Sequence, residues 1–173
     1  SLWCDEIYTI VLVHHPVDVL IDKTTVDAHP PTYYLMLKAW NRIGRLIGID
    51  PGIGWGRTPG LALWLVLAGV AWWVGRRVPG RAYAGLLALA VACGAQLAWG
   101  VSNMRSYATA APAAGICILL MLHLSTGKGR RAALRRTWPL WTGYALAAAL
   151  LLWSHLLGAY LLLPLGLWWL GLA

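Results

Sequence analysis

Thr58-Pro59-Gly60-Leu61-Ala62-Leu63-Trp64-Leu65-Val66-Leu67-Ala68-Gly69-Val70-Ala71-Trp72-Trp73-Val74-Gly75 runs without a charged residue into Arg76-Arg77. An apolar run of this length reaches across a bilayer when its Trp-rich end sits at the interface. The same punctuation recurs downstream. Arg81 closes the basic loop, Ala82 to Val101 is a second span, and Ser102 to Ser106 is a short polar interval holding Arg105. Tyr107 to Leu124 is a third span, with Pro112 expected to kink it. Ser125 to Thr137 is a second basic loop, carrying Lys128, Arg130, Arg131, Arg135 and Arg136. Trp138 to Trp153 is a fourth span, Ser154-His155 a break, and Leu156 onward a fifth. Residues 57–173 thus predict five transmembrane spans. The fold expected is an all-α integral membrane protein, a multi-span helical bundle.

Composition supports that class. The 173 residues are 60% hydrophobic and 12% charged, with mean hydropathy +0.63. Soluble domains carry nearer a quarter charged. The net charge of +8 is no nucleic-acid signature, because the basic residues cluster between apolar runs as membrane loops do. Cys4, Cys93 and Cys117 have no metal-like spacing, and the last two lie in apolar runs as small hydrophobes. Heavy use of Ala, Leu, Gly and Arg over Lys fits a GC-rich bacterial gene. The absence of an initiator Met and an apolar run at the end read as a fragment, with further spans expected before residue 1 and after residue 173.

Residues 1–56 are different. All six acids, Asp5, Glu6, Asp18, Asp22, Asp27 and Asp50, fall here. Glu6 to Val13 is too short to span, and His14-His15-Pro16 interrupts it. Asp22 to Asp27 reads as a polar turn. Pro30-Pro31 marks a helix start. From there Met36, Trp40, Ile43 and Ile47 recur at helical spacing, with Lys38, Arg42 and Arg45 on another face. That pattern predicts an interfacial helix, apolar side in the membrane and basic side toward headgroups. Gly48 to Gly60 reads as a loop.

Orientation follows from charge. The two acid-free basic loops are separated by two spans, so they share a side, and the positive-inside rule makes it cytoplasmic. Residues 1–56, Arg105 and His155 then face the opposite side together.

Each polar group there has a chemical and a bland reading. Asp5-Glu6 can supply a general base for a hydroxyl acceptor, hold a metal ion, or be a solvated loop charge. His29, two residues after Asp27, can contact metal or phosphate or be a loop histidine. Tyr33 and Tyr34 read as interface anchors. Arg105 on the non-cytoplasmic side needs an anion, whether a bound lipid phosphate or a neighbouring headgroup. His155 between apolar runs needs water, a ligand or a polar partner such as a backbone carbonyl.

The order of these motifs is recognisable: Leu2-Trp3-Cys4-Asp5-Glu6, His29-Pro30-Pro31-Thr32-Tyr33-Tyr34-Leu35, Gly75-Arg76-Arg77, Met104-Arg105-Ser106-Tyr107-Ala108 and Ser154-His155. It resembles the C-class polyprenyl-phosphate-sugar glycosyltransferases, in particular bacterial relatives of protein O-mannosyltransferases and lipid A aminoarabinose transferases. The resemblance covers nearly the whole chain. It implies a first external loop, here residues 1–56, with two helices along the membrane and an essential Asp often followed by Glu, matching Asp5 and Glu6 as catalytic residues. It implies a multi-pass enzyme of the bacterial inner membrane with a periplasmic site. The donor would be a polyprenyl-phosphate-linked sugar, transferred with inversion to a lipid, glycan or protein hydroxyl. Arg105, Tyr107, His29 and His155 would contact substrate, and His29 and His155 are the candidates for a divalent metal. Many relatives carry an acid two places before the Arg, where this chain has Asn103. The residues also leave open a transporter of a lipid-linked or anionic solute, or a non-catalytic membrane subunit.

Overall fold

The structure is a computed structural model, and it describes residues 4–25, 30–77, 104–125 and 130–171, with isolated positions 87, 90 and 94. The expected span at Ala82 to Val101 lies outside the described residues apart from those positions. Everything regular among the described residues is helical: α1 (Cys4–His14), α2 (Val17–Thr25), α3 (Thr32–Leu46), α4 (Ile53–Gly75), α5 (Tyr107–Ser125), α6 (Arg130–Ser154), a 3₁₀ turn (Leu156–Gly158) and α7 (Ala159–Gly171). Two of these, α4 and the Tyr107–Leu124 stretch of α5, are long and apolar enough to cross a membrane.

Prolines set several boundaries. Pro16 stops α1, because the residue before a proline is pushed out of the helical region. It then starts α2, its carbonyl accepting the Leu20 N–H at 2.9 Å. Asp22 to Thr25 was expected to be a turn, but α2 runs through it. Thr24 Oγ1 donates to the Leu20 and Ile21 carbonyls, each at 2.9 Å, while Leu20 is buried in the first core. Burial outweighs the turn propensity of Asp and Thr. Pro31 caps α3 as the spacing predicted, accepting from Leu35 N–H at 2.9 Å. At the other end Gly48 adopts φ 78°, and the Ile49 and Gly48 N–H groups reach back to the Gly44 and Arg45 carbonyls at 2.9 and 3.2 Å. This is the glycine-dependent helix stop in which two orphan carbonyls are satisfied.

The expected loop from Gly48 to Gly60 is shorter, since α4 begins at Ile53 and passes through Pro59. Proline removes the N–H that would bond the carbonyl four residues back. That carbonyl belongs to Trp55, and Thr58 Oγ1 donates to it at 2.6 Å instead. Thr58 Oγ1 also accepts Trp40 Nε1–H at 2.9 Å, and Trp55 Nε1–H donates to the Trp40 carbonyl at 3.1 Å. The two indoles stack at 4.8 Å and 9°. Gly44 admits this packing, because a Cβ there would stand 2.8 Å from Trp55 Nε1. The α3–α4 corner is thereby fixed by side chains. The basic loop is shorter too: Arg130 to Thr137 lies in the first turns of α6.

Two cores result. Leu12 and Val13 of α1 and Leu20 of α2 pack on Tyr33, Tyr34 and Leu37 of α3. Leu67, Ala71 and Val74 of α4 pack on Ile116, Cys117, Leu119 and Leu120 of α5 and Ala147 of α6. Cys117 is a buried free thiol in that second core, a small hydrophobe as expected. Small residues at such crossings let helices approach closely. Helix α3 touches both α4 and α6, which joins the two cores. The α3 stripe divides accordingly. Met36 and Trp40 are half-buried against the chain, whereas Ile43 and Ile47 stay 45% and 61% exposed.

Candidate functional site

The site begins with a buried carboxylate. Glu6 lies in the first turns of α1 with its side chain 0% exposed. Its Oε1 accepts from Arg57 Nε at 3.2 Å and Nη2 at 3.0 Å, and Oε2 accepts from Nη2 at 2.9 Å. Oε1 also accepts the Met104 backbone N–H at 2.9 Å. One carboxylate therefore ties α1, the head of α4 and the segment entering α5. A buried carboxylate is tolerable only with such charge-assisted pairing.

That tie brings the segment bearing Arg105 to the helix bearing Glu6. Arg105 follows Met104 directly, half-buried, with its guanidinium carbon 6.0 Å from the Tyr107 ring centroid. The Tyr107 ring in turn lies 5.9 Å from the His155 ring at 32°. Arg105, Tyr107 and His155 form a row at one end of the helices. The row is anchored below, where Thr109 Oγ1 donates to Ser154 Oγ at 2.8 Å between α5 and α6, both residues buried. His155 breaks the helix with an extended backbone, φ −156° and ψ 116°, and its Nδ1 accepts the Leu157 N–H at 3.3 Å. The imidazole thus caps the next helical segment as well as facing Tyr107.

Tyr33 is the fourth wall. Burial, then the neighbouring Tyr34 and the Glu6 charge, hold its phenol far above the ordinary tyrosine range, with Arg105 opposing. It stays a neutral donor at any working pH. Its ring meets Tyr34 edge-on at 5.6 Å, and Tyr34 meets Tyr8 at 6.5 Å. Tyr33 and Tyr34 pack inside this end of the protein rather than standing out as anchors.

Asp5 sits in the first turn of α1, one residue before Glu6; its side chain, Asp27 and His29 lie outside the described residues. Among the described residues no three His, Cys, Asp or Glu side chains converge as a metal site requires. Both Glu6 oxygens are engaged by Arg57, so a cation there would have to displace a guanidinium.

Sequence reasoning passed over Arg57. The signal was present: an Arg at the head of an apolar run, on the acid-rich side where the positive-inside rule disfavours it. The same argument had singled out Arg105. Arg57 was hidden by its place in a Gly-rich stretch taken for a loop.

Chemically, an arginine, a neutral phenol, a second tyrosine and a histidine beside an acid-bearing helix suit an anionic oxygen such as a phosphate. No protein-family model matches this chain, and neither a curated protein nor a solved structure matches it.

Proposed function

We propose that this chain is part of a multi-span membrane glycosyltransferase that moves a sugar from a polyprenyl phosphate to an acceptor hydroxyl at the external membrane surface. In this reading α4, the segment 82–101, α5, α6 and α7 are the spans, and α1 to α3 lie at the external interface of a bacterial inner membrane. The observation that carries it is the hydrogen bond from Met104 N–H to Glu6. Through it, the helix bearing Asp5-Glu6 meets the segment bearing Arg105, although 98 residues separate the bonded pair.

Asp5 accepts or orients the proton of the acceptor hydroxyl, whose oxygen forms the new bond to the anomeric carbon. The bond from that carbon to the phosphate oxygen breaks on the opposite face. Arg105 balances the charge that builds on the departing phosphate. Tyr107 and His155 line the same end and position the donor's polar part. Glu6 acts as a positioning residue, holding Arg57 and Met104 so that Asp5 and Arg105 keep their separation.

The test is donor use by membranes holding equal amounts of each variant. Arg105→Ala should lose transfer from a radiolabelled polyprenyl-phosphate sugar, by roughly 10²–10³-fold for a lost charge-stabilising donor. Arg77→Ala should retain it, since Arg77 sits over the Trp73 ring beyond the C-terminal end of α4. Equal activity in the two variants removes Arg105 from the site and with it this assignment of the reaction.

A further inference from the structure

Further along the face of α1 that carries Glu6, a cavity of about 200 Å³ opens between α1, α3 and the α3–α4 corner. Its walls are apolar, with Ile10, Leu37, Pro51, Ile53 and Met104 among them, and Asn41 and His14 stand at its edge. A smaller cavity of about 90 Å³ shares His14 and Asn41 and adds Lys38 and Arg45. The two form one groove, greasy at one end and basic at the other. No described lining residue of either is acidic.

Three features give the groove a polar specification. Lys38 Nζ is held by the Val13 and His15 carbonyls at 2.9 and 2.7 Å, which fixes an ammonium at the end of α1 with no third acceptor among the described residues. Arg45, one helical turn past Asn41, is exposed beside it. Asn41 Oδ1 is buried yet accepts no hydrogen bond from the described residues. A buried carbonyl oxygen in that condition calls for a donor beyond the described residues, and the groove it lines leaves room for a ligand's. A bare anion would satisfy the cations but not this acceptor; a ligand with both an anionic oxygen and a hydroxyl satisfies all of them.

The surroundings choose the source. Ile43, Leu46, Ile47, Ile49 and Ile53 are all exposed around the same corner. They form an apolar rim beside the basic end, which water covers poorly and acyl chains cover well. We infer that the groove between α1 and α3 binds an anionic glycerophospholipid with a hydroxyl-bearing headgroup, its phosphate against Lys38 and Arg45 and a headgroup hydroxyl donating to Asn41 Oδ1. The acyl-glycerol part occupies the apolar end. Arg105, Tyr107 and His155 do not line the groove, and binding there does not depend on sugar transfer.

Native mass spectrometry of the detergent-purified protein tests it, with dioleoyl phosphatidylglycerol and dioleoyl phosphatidylcholine as probes. The phosphatidylglycerol adduct should form preferentially. Arg45→Gln and Asn41→Leu should each weaken it about tenfold, the scale of a lost hydrogen bond to a charged or buried group. Arg42→Gln, exposed on the same helix but not lining the groove, should leave it unchanged. Arg45 is exposed, so its variant keeps the fold; an unaltered thermal midpoint verifies that. Equal binding of the two lipids, or equal loss in Arg42→Gln and Arg45→Gln, overturns the proposal. Binding of free glycerol 3-phosphate as tightly as the lipid also overturns it, assigning the groove to a soluble phosphate ester.

Discussion

At the scale of single residues, Glu6 and Arg57 decide whether the candidate site exists. Removing one member of a buried ion pair leaves the other uncompensated, at a cost of about 3–5 kcal/mol. Arg57→Ala should therefore lower the thermal midpoint of the purified protein by roughly 6 °C or more, at about 2–4 °C per kcal/mol for a chain of this size. Adding Glu6→Gln to Arg57→Ala should recover part of that loss, because the neutral amide still accepts the Met104 N–H and no unpaired charge remains. A double variant less stable than Arg57→Ala would show that the pair is not the source of the effect. Tyr33 gives a second prediction. Its folded pKa lies above the unfolded value of 10.0, so its contribution is intact below that value and is lost as pH rises past it. Tyr33→Phe should make stability flatter than wild type above roughly pH 10, measured as thermal midpoint against pH. Parallel curves would remove Tyr33 from the buried wall.

Elements were legible where periodicity and proline spoke alone. The Pro30-Pro31 start of α3, the Pro16 interruption and the Ser154-His155 break all stand in the structure because proline geometry and a lone polar break act locally. The misjudged boundaries share another cause. Asp22-Thr25, Ile53-Gly60 and Arg130-Thr137 have turn-like or loop-like composition yet are helical, and in the first two, contacts that composition does not display hold the helix. At α4 that contact is Thr58, which satisfies both the carbonyl freed by Pro59 and the Trp40 indole. Thr58→Val should strand both groups at about 1–3 kcal/mol each. The expected readouts are a lower thermal midpoint and a changed tryptophan fluorescence from the Trp40–Trp55 stack. Thr58→Ser should restore both. A Thr58→Val protein with wild-type fluorescence would mean that the corner does not depend on that hydroxyl. The candidate site was partly legible for the same reason: charge placement pointed to Arg105 and a polar break between apolar runs to His155, but no spacing reveals that Glu6 faces Arg57 and Met104.

For the whole molecule, one buried carboxylate joins a tyrosine-lined helical cap to an apolar helix bundle. In the proposed reading, the segregation of acids from the basic stretches puts residues 5–50 outside and Arg76 to Arg81 and residues 127–136 in the cytoplasm. A cysteine placed at Arg130 should resist an impermeant reagent added to intact cells, and labelling there would invert the orientation. The proposed reaction rests on Asp5 as its base, one residue before Glu6. Asp5→Asn keeps size and most hydrogen bonding but cannot take a proton at neutral pH, so transfer should fall roughly 10²–10⁴-fold. Asp18→Asn, exposed on α2, is the matched control and should transfer sugar like wild type. The deciding measurement is transfer of label from a radiolabelled polyprenyl-phosphate sugar into membranes holding equal amounts of the two variants. The account predicts loss in Asp5→Asn alone; retention in Asp5→Asn of more than about a tenth of wild-type turnover, well short of a lost general base, would contradict it.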